Sequence, residues 1–137
     1  IPLSGEGWGV TSDGEQLYVS NGTAQLSVWK DSKQVKKIDV TLNETPVSRL
    51  NELEWINGEI WANVWLTDQI VRIDPTSGQI SSIIDASRLL PAGERQHGTD
   101  VLNGIAFDPR NKGIWLSGKR WPYLYRIKPV ERSGRKP

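Results

Sequence analysis

Leu53-Glu54-Trp55-Ile56-Asn57-Gly58-Glu59-Ile60-Trp61-Ala62-Asn63-Val64-Trp65 sets two short apolar runs on either side of an Asn-Gly pair. Both central positions of a type I′ turn need positive φ, which asparagine and glycine tolerate best, so the segment predicts a β-hairpin. Two further runs follow, Gln69-Ile70-Val71-Arg72-Ile73-Asp74 and Gln79-Ile80-Ser81-Ser82-Ile83-Ile84, parted by Asp74-Pro75-Thr76-Ser77-Gly78. Proline and glycine in that turn end one strand and start the next. The stretch is therefore a unit of four short strands, rich in isoleucine, valine and tryptophan.

The same order occurs on both sides. Upstream, Gly7-Trp8-Gly9-Val10 passes through Asp13-Gly14 into Gln16-Leu17-Tyr18-Val19-Ser20, then Gln25-Leu26-Ser27-Val28-Trp29 and Val35-Lys36-Lys37-Ile38-Asp39-Val40. Downstream, Gly104-Ile105-Ala106-Phe107 turns through Asn111-Lys112-Gly113 into Ile114-Trp115-Leu116-Ser117 and Tyr123-Leu124-Tyr125-Arg126-Ile127, with no clear last strand. Four-stranded units recurring at roughly 40–50 residues are the mark of β-propeller blades. The chain is thus expected to be all-β, a partial propeller over residues 1–130 with blades at about 5–46, 47–100 and 101–130. A β-sandwich is the alternative, but it does not require the same turn and tryptophan to recur in phase. Arg88 to Gly98 forms an insertion between the second and third units, of a length that often edges a site. The charged, proline-bearing tail 131–137 is expected to be disordered.

Lysine and arginine number 17 against 16 acidic residues, so no broad field attracts nucleic acid or anionic membrane, and neither is an expected partner. There is no cysteine and only one histidine, His97, which rules out disulfides and thiolate metal sites; no metal or cofactor is expected. No apolar run approaches the roughly 20 residues of a membrane span. Ile1-Pro2-Leu3-Ser4-Gly5 lacks the features of a signal peptide, so any targeting segment is expected to lie upstream.

The first strand of a blade runs along the central axis, so the residues that open each unit converge on one mouth of the channel. Ser4-Gly5-Glu6-Gly7, Arg49-Leu50-Asn51-Glu52 and Val101-Leu102-Asn103-Gly104 stand in similar phases and offer Glu6, Asn51 and Asn103 there. Such groups either hydrogen-bond a ligand or satisfy backbone between blades. Of seven tryptophans, Trp55, Trp61 and Trp115 read as blade packing. Trp8, Trp65 and Trp121 lie at strand ends, where an indole can wall a pocket and still donate through its nitrogen. Lys119 ends a strand beside Trp121, a position at which lysines are usually just solvated.

Six motifs in one register, from Gly5 to Ile127, resemble the bacterial and plant glutaminyl cyclases: Gly5-Glu6-Gly7-Trp8-Gly9-Val10-Thr11, Leu50-Asn51-Glu52-Leu53-Glu54, Ile60-Trp61-Ala62-Asn63-Val64-Trp65, Ile73-Asp74-Pro75, Leu102-Asn103-Gly104-Ile105-Ala106 and Gly118-Lys119-Arg120-Trp121-Pro122. Val10 and Ser117 are small departures, where leucine and threonine are common. The resemblance implies a five-bladed propeller, of which this chain covers about the last three blades. It also implies an extracytoplasmic enzyme that converts the N-terminal glutamine of a peptide or protein to pyroglutamate and releases ammonia. By motif, Lys119 and Asn51 are then catalytic; Trp8 and Trp65 wall the pocket, with Glu6, Asn103 and Trp121 beside them. The carboxylate that shuttles the proton is expected upstream of Ile1, in blades that this chain needs as a partner. The zinc-dependent animal cyclases have another fold, and one histidine without cysteine does not support their chemistry. A non-catalytic propeller that binds peptides at its mouth, or one that stacks sugars on its indoles, are the competing functions.

Overall fold

A computed structural model describes residues 1–131. The expected tail thus falls outside the described residues, save for exposed Glu131. Three antiparallel meanders follow one another. Sheet I comprises β1 (Gly9–Ser12), β2 (Leu17–Ser20), β3 (Gln25–Lys30) and β4 (Lys33–Asp39), hydrogen-bonded in that order. A small hairpin, β5 (Thr41–Leu42) with β6 (Thr45–Pro46), leads to sheet II: β7 (Leu50–Ile56), β8 (Glu59–Val64), β9 (Gln69–Ile73) and β10 (Ile80–Asp85). Sheet III has three strands among the described residues, β11 (Leu102–Asp108), β12 (Gly113–Gly118) and β13 (Tyr125–Ile127). No α-helix occurs among these residues; the insertion carries only a 3-10 turn, Ala92–Glu94.

Turn chemistry sets the strand boundaries. Asn57 and Gly58 have φ of 51° and 86°, the positive pair a type I′ turn needs. Asp13-Gly14 works differently, because only Gly14 is at positive φ. The Asp13 carboxylate there accepts the backbone N–H groups of Glu15 and Gln16 at 2.8 and 2.7 Å and the Tyr18 hydroxyl at 2.9 Å. Asp74 closes its turn in the same way, accepting the Thr76 N–H at 2.7 Å. Two hairpins turn without glycine, at Asp31-Ser32 and Asn43-Glu44, where both residues of each pair sit at positive φ.

The sheets stack face to face, and the period-two pleat assigns each side chain to one interface. From β8, Ile60, Ala62 and Val64 join the core between sheets I and II, with Leu26, Val28, Leu50 and Leu53. Trp61 faces the other way, into the core between sheets II and III with Ile70, Leu102 and Leu116. Burial of each such leucine or isoleucine stabilises the fold by about 1.5–3 kcal/mol. Tyr18 also stacks on Trp55 across the first interface, with ring centroids 5.6 Å apart.

The first strand of each sheet lies beside the first strand of the next, β1 by β7 and β7 by β11. Backbone groups on their unpaired edges are satisfied by neighbouring side chains. Trp55 N–H donates to Thr11 Oγ1 and Phe107 N–H to Glu54 Oε1, both at 2.8 Å. Thr11 and Glu54 hold the same place in successive sheets, since their strands pair with β2 and β8 in the same register.

Candidate active site

Antiparallel pairing brings the starts of β1, β7 and β11 and the ends of β2, β8 and β12 to one edge of the three sheets. Trp8, Asn51, Trp65, Asn103 and Lys119 lie at or directly beside these strand ends. Trp8 and Trp65 meet edge to face, with ring centroids 5.4 Å apart and planes at 79°. Gly22 lies against the Trp8 ring, where a Cβ would collide with it. Trp65 and Lys119 occupy one repeat position. Trp65 N–H donates to Arg49 O at 2.8 Å and Lys119 N–H to Val101 O at 2.9 Å, each just before a first strand begins. The Lys119 side chain is exposed.

Two of the first strands are not regular. Pairing shifts register between Leu50 and Leu53 in β7, and between Leu102 and Ile105 in β11. A β-bulge at each place lets residues three apart enter the same core. Leu50 and Leu53 both face sheet I, whereas Leu102 and Ile105 both face sheet II. Asn51 and Asn103 stand in equivalent positions within these bulges. Asn51 is buried, and Asn103 is half-buried with its Oδ1 atom buried and unbonded.

Glu6 departs from the expected phase. The pairing that matches Thr11 to Glu54 sets Trp8-Gly9, not Glu6, against the Asn51-Glu52 bulge. Glu6 is exposed, and its Oε2 accepts the Trp8 indole N–H at 2.9 Å. Trp121 has also given its nitrogen to the protein: Nε1 donates to Asp100 O at 2.8 Å, and its ring covers Gly118.

Glu52, beside Asn51, carried no separate signal in the sequence. Burial, with the Glu54 charge adding to it, raises its pKa; burial raises that of Glu54 too, against the opposing Phe107 N–H bond. A carboxyl whose folded pKa is raised contributes stability below the unfolded value, and that stability is lost as pH climbs through the folded value. Glu52→Gln is therefore expected to be more stable than the parent at pH 7. The difference should close as pH falls toward 4.5, the ordinary value. Thermal unfolding measured across that range checks it.

Two cavities flank the rim. One, of about 300 Å³, is polar and lies between Leu66-Thr67-Asp68 and Arg95 of the insertion with Thr99 and Asp100 just after it. The other, of about 330 Å³, is apolar and opens on the face of sheet I turned away from sheet II, where Val10 and Leu17 are 57% and 37% exposed. No cluster of histidine, cysteine or carboxylates suited to a metal occurs among the described residues.

The described residues are all-β, with Trp8, Trp65, Asn51, Asn103 and Lys119 along one rim. Comparison with known proteins gives it a family. The family model described as glutamine cyclotransferase matches residues 1–129. The glutaminyl-peptide cyclotransferase of Arabidopsis thaliana is 43% identical over 95% of this chain and 42% of its own length. The crystal structure of Myxococcus xanthus glutaminyl cyclase superposes with a TM-score of 0.86 at 37% identity, over 93% of this chain and 57% of that one. Virginiamycin B lyase from Staphylococcus aureus shares the fold, with a TM-score of 0.59 at 19% identity over 93% of this chain and 41% of that one. The chain belongs to the glutamine cyclotransferase family. It spans less than half of the plant relative and somewhat more than half of the bacterial structure.

Proposed function

We propose that this chain forms about the last three blades of a five-bladed propeller that cyclises N-terminal glutaminyl residues of peptides and proteins. The observation that carries the reading is the pairing of Trp8 with Trp65 on the rim that Asn51 and Lys119 share, in a chain of this family. Sheets I to III and the 57% of the Myxococcus chain that is covered support blades at about 5–46, 47–100 and 101–130.

The reaction is intramolecular, so the protein has no nucleophile to supply. The α-amine of the substrate attacks its own γ-amide carbon and a C–N bond forms. The carbonyl oxygen takes the electron pair as a tetrahedral oxyanion. A proton moves from the attacking nitrogen to the amide nitrogen, whose C–N bond breaks to release ammonia as the carbonyl re-forms. Trp8 and Trp65 wall the folded-back side chain, and Asn51 and Asn103 hydrogen-bond its amide. Lys119 stabilises the oxyanion, an electrostatic effect that strengthens as water leaves the site. Trp121 shapes the rim and Glu6 orients Trp8. The proton shuttle resides in a carboxylate outside this chain.

The uncovered apolar face of sheet I fits a preceding blade, so the partner there is another part of the same propeller. No helix among the described residues is long and apolar enough to cross a membrane, and the family resemblance favours an extracytoplasmic setting.

Ammonia release from a glutaminyl peptide tests the reading, comparing the intact polypeptide with this chain alone. The intact protein should be active and the isolated chain inactive; an inactive intact protein would instead favour a peptide-binding propeller. In the intact protein, Trp65→Ala should raise KM severalfold, since alanine replaces neither the buried area nor the edge-to-face contact. An unaltered KM and rate would assign Trp65 to packing.

A further inference from the structure

Each bulge that carries an asparagine is held by one side chain from the second strand of the preceding sheet. Ser20 Oγ donates to Asn51 O at 2.6 Å. Asn63 Oδ1 accepts the Gly104 N–H at 3.1 Å. Ser20 and Asn63 occupy one repeat position, near the ends of β2 and β8, and both are completely buried. A bulge leaves backbone groups outside the ladder, and a buried unpaired group is destabilising. These side chains remove that cost and fix where the bulge sits. The two bonds differ in polarity: serine gives a proton to a carbonyl, whereas asparagine receives one from an amide.

Asn63 has a further property that Ser20 lacks. Its Nδ2 is buried and has no partner, and the Oδ1 of Asn103, next to Gly104 in the chain, is also buried and has none. Gly104 itself leaves little room to shift, since a Cβ there would meet that of Ser117 at 3.3 Å.

We propose that Asn63 is a positioning residue of this site, fixing the bulge at Asn103-Gly104 so that the Asn103 amide is held toward the mouth. Asn63 touches no substrate; it acts through Asn103. This rests on the glutaminyl-cyclising reading for its kinetic consequence, but not for its structural one.

The test uses the intact protein. Asn63→Leu keeps the branching at Cγ, though it is larger, and removes the acceptor, whereas Asn63→Asp, close in volume, keeps an oxygen for the Gly104 N–H and guards against a variant that merely fails to fold. Hydrogen exchange at the Gly104 amide should accelerate at least tenfold in Asn63→Leu and change little in Asn63→Asp. Unchanged exchange in Asn63→Leu would overturn the proposal whether or not the protein cyclises glutamine. In the cyclisation assay, Asn63→Leu should raise KM about fivefold, and adding Asn103→Ala should raise it no further, because both changes remove one interaction. Additive losses, or a lowered Tm with unchanged KM, would reduce Asn63 to a packing residue. If the parent protein does not cyclise glutamine, the functional reading fails and the exchange result alone decides the positioning role.

Discussion

Gly9→Ala is expected to destabilise the protein by about 3 kcal/mol, near the upper end for overpacking a tight contact. A Cβ at Gly9 would overlap the backbone oxygen of Asn51 and stand 2.9 Å from the Glu52 Cα. Both are main-chain atoms of the β7 bulge, so no side-chain rotation relieves the clash, and β1 must move away from β7. Trp8 precedes Gly9 and meets Trp65, which follows β8, so the same displacement opens the indole pair. Denaturant unfolding should report the lost stability, while the glutaminyl assay should show a higher KM. Gly93→Ala is the control, because nothing lies within 4 Å of a Cβ there. Equal midpoints for Gly9→Ala and Gly93→Ala would mean that sheets I and II do not approach as closely as described.

Under the proposed cyclisation, Lys119→Ala is expected to lower turnover of the intact protein at least tenfold, about 1.4 kcal/mol of transition-state stabilisation, with unfolding unchanged. The side chain is exposed and makes no ion pair or hydrogen bond among the described residues, so truncation leaves no group unpaired. Its backbone is another matter: Lys119 N–H and C=O bond to Val101 and Asp100, holding the residue at the rim whatever its side chain. That separation makes the variant informative. Unchanged turnover would remove Lys119 from the reaction, and lost folding would contradict its exposure.

The strands were readable because each unit confines its apolar residues to short runs between strong turn formers, as at Asn57-Gly58 and Asp74 to Gly78. Asp31-Ser32 and Asn43-Glu44 give a weaker turn signal, since neither contains glycine, although aspartate and asparagine tolerate positive φ. On the rim, tryptophans at strand ends and asparagines at strand starts were visible as residue types. The bulges were not. A two-residue bulge makes Leu50 and Leu53 look out of phase, when in fact they share a core. Asn63 likewise reads from the alternation as one polar residue inside a strand, while Glu6 lies two residues before Trp8 and outside β1. A pair of apolar residues three apart at the start of an otherwise alternating strand, flanking an asparagine, is the signal that would have found both bulges.

The meander order of the sheets bears on how this chain acquires its shape. Every strand within a sheet pairs with its neighbour in sequence, so loops are short and the entropy of closing them is small. Each sheet can then gather locally, and what remains is the docking of one finished unit on another, as in repeat proteins whose energies are summed over nearest neighbours. Among the described residues, sheet II is covered on both faces and so gains from two dockings. Its amides around Ile60 to Val64 should therefore be the last to open, and the outer strands β4 and β13 the first to fray. The rim residues after β8 and β12 inherit that gradient, which anchors Trp65 to the most persistent part of the molecule and Lys119 to a more yielding one.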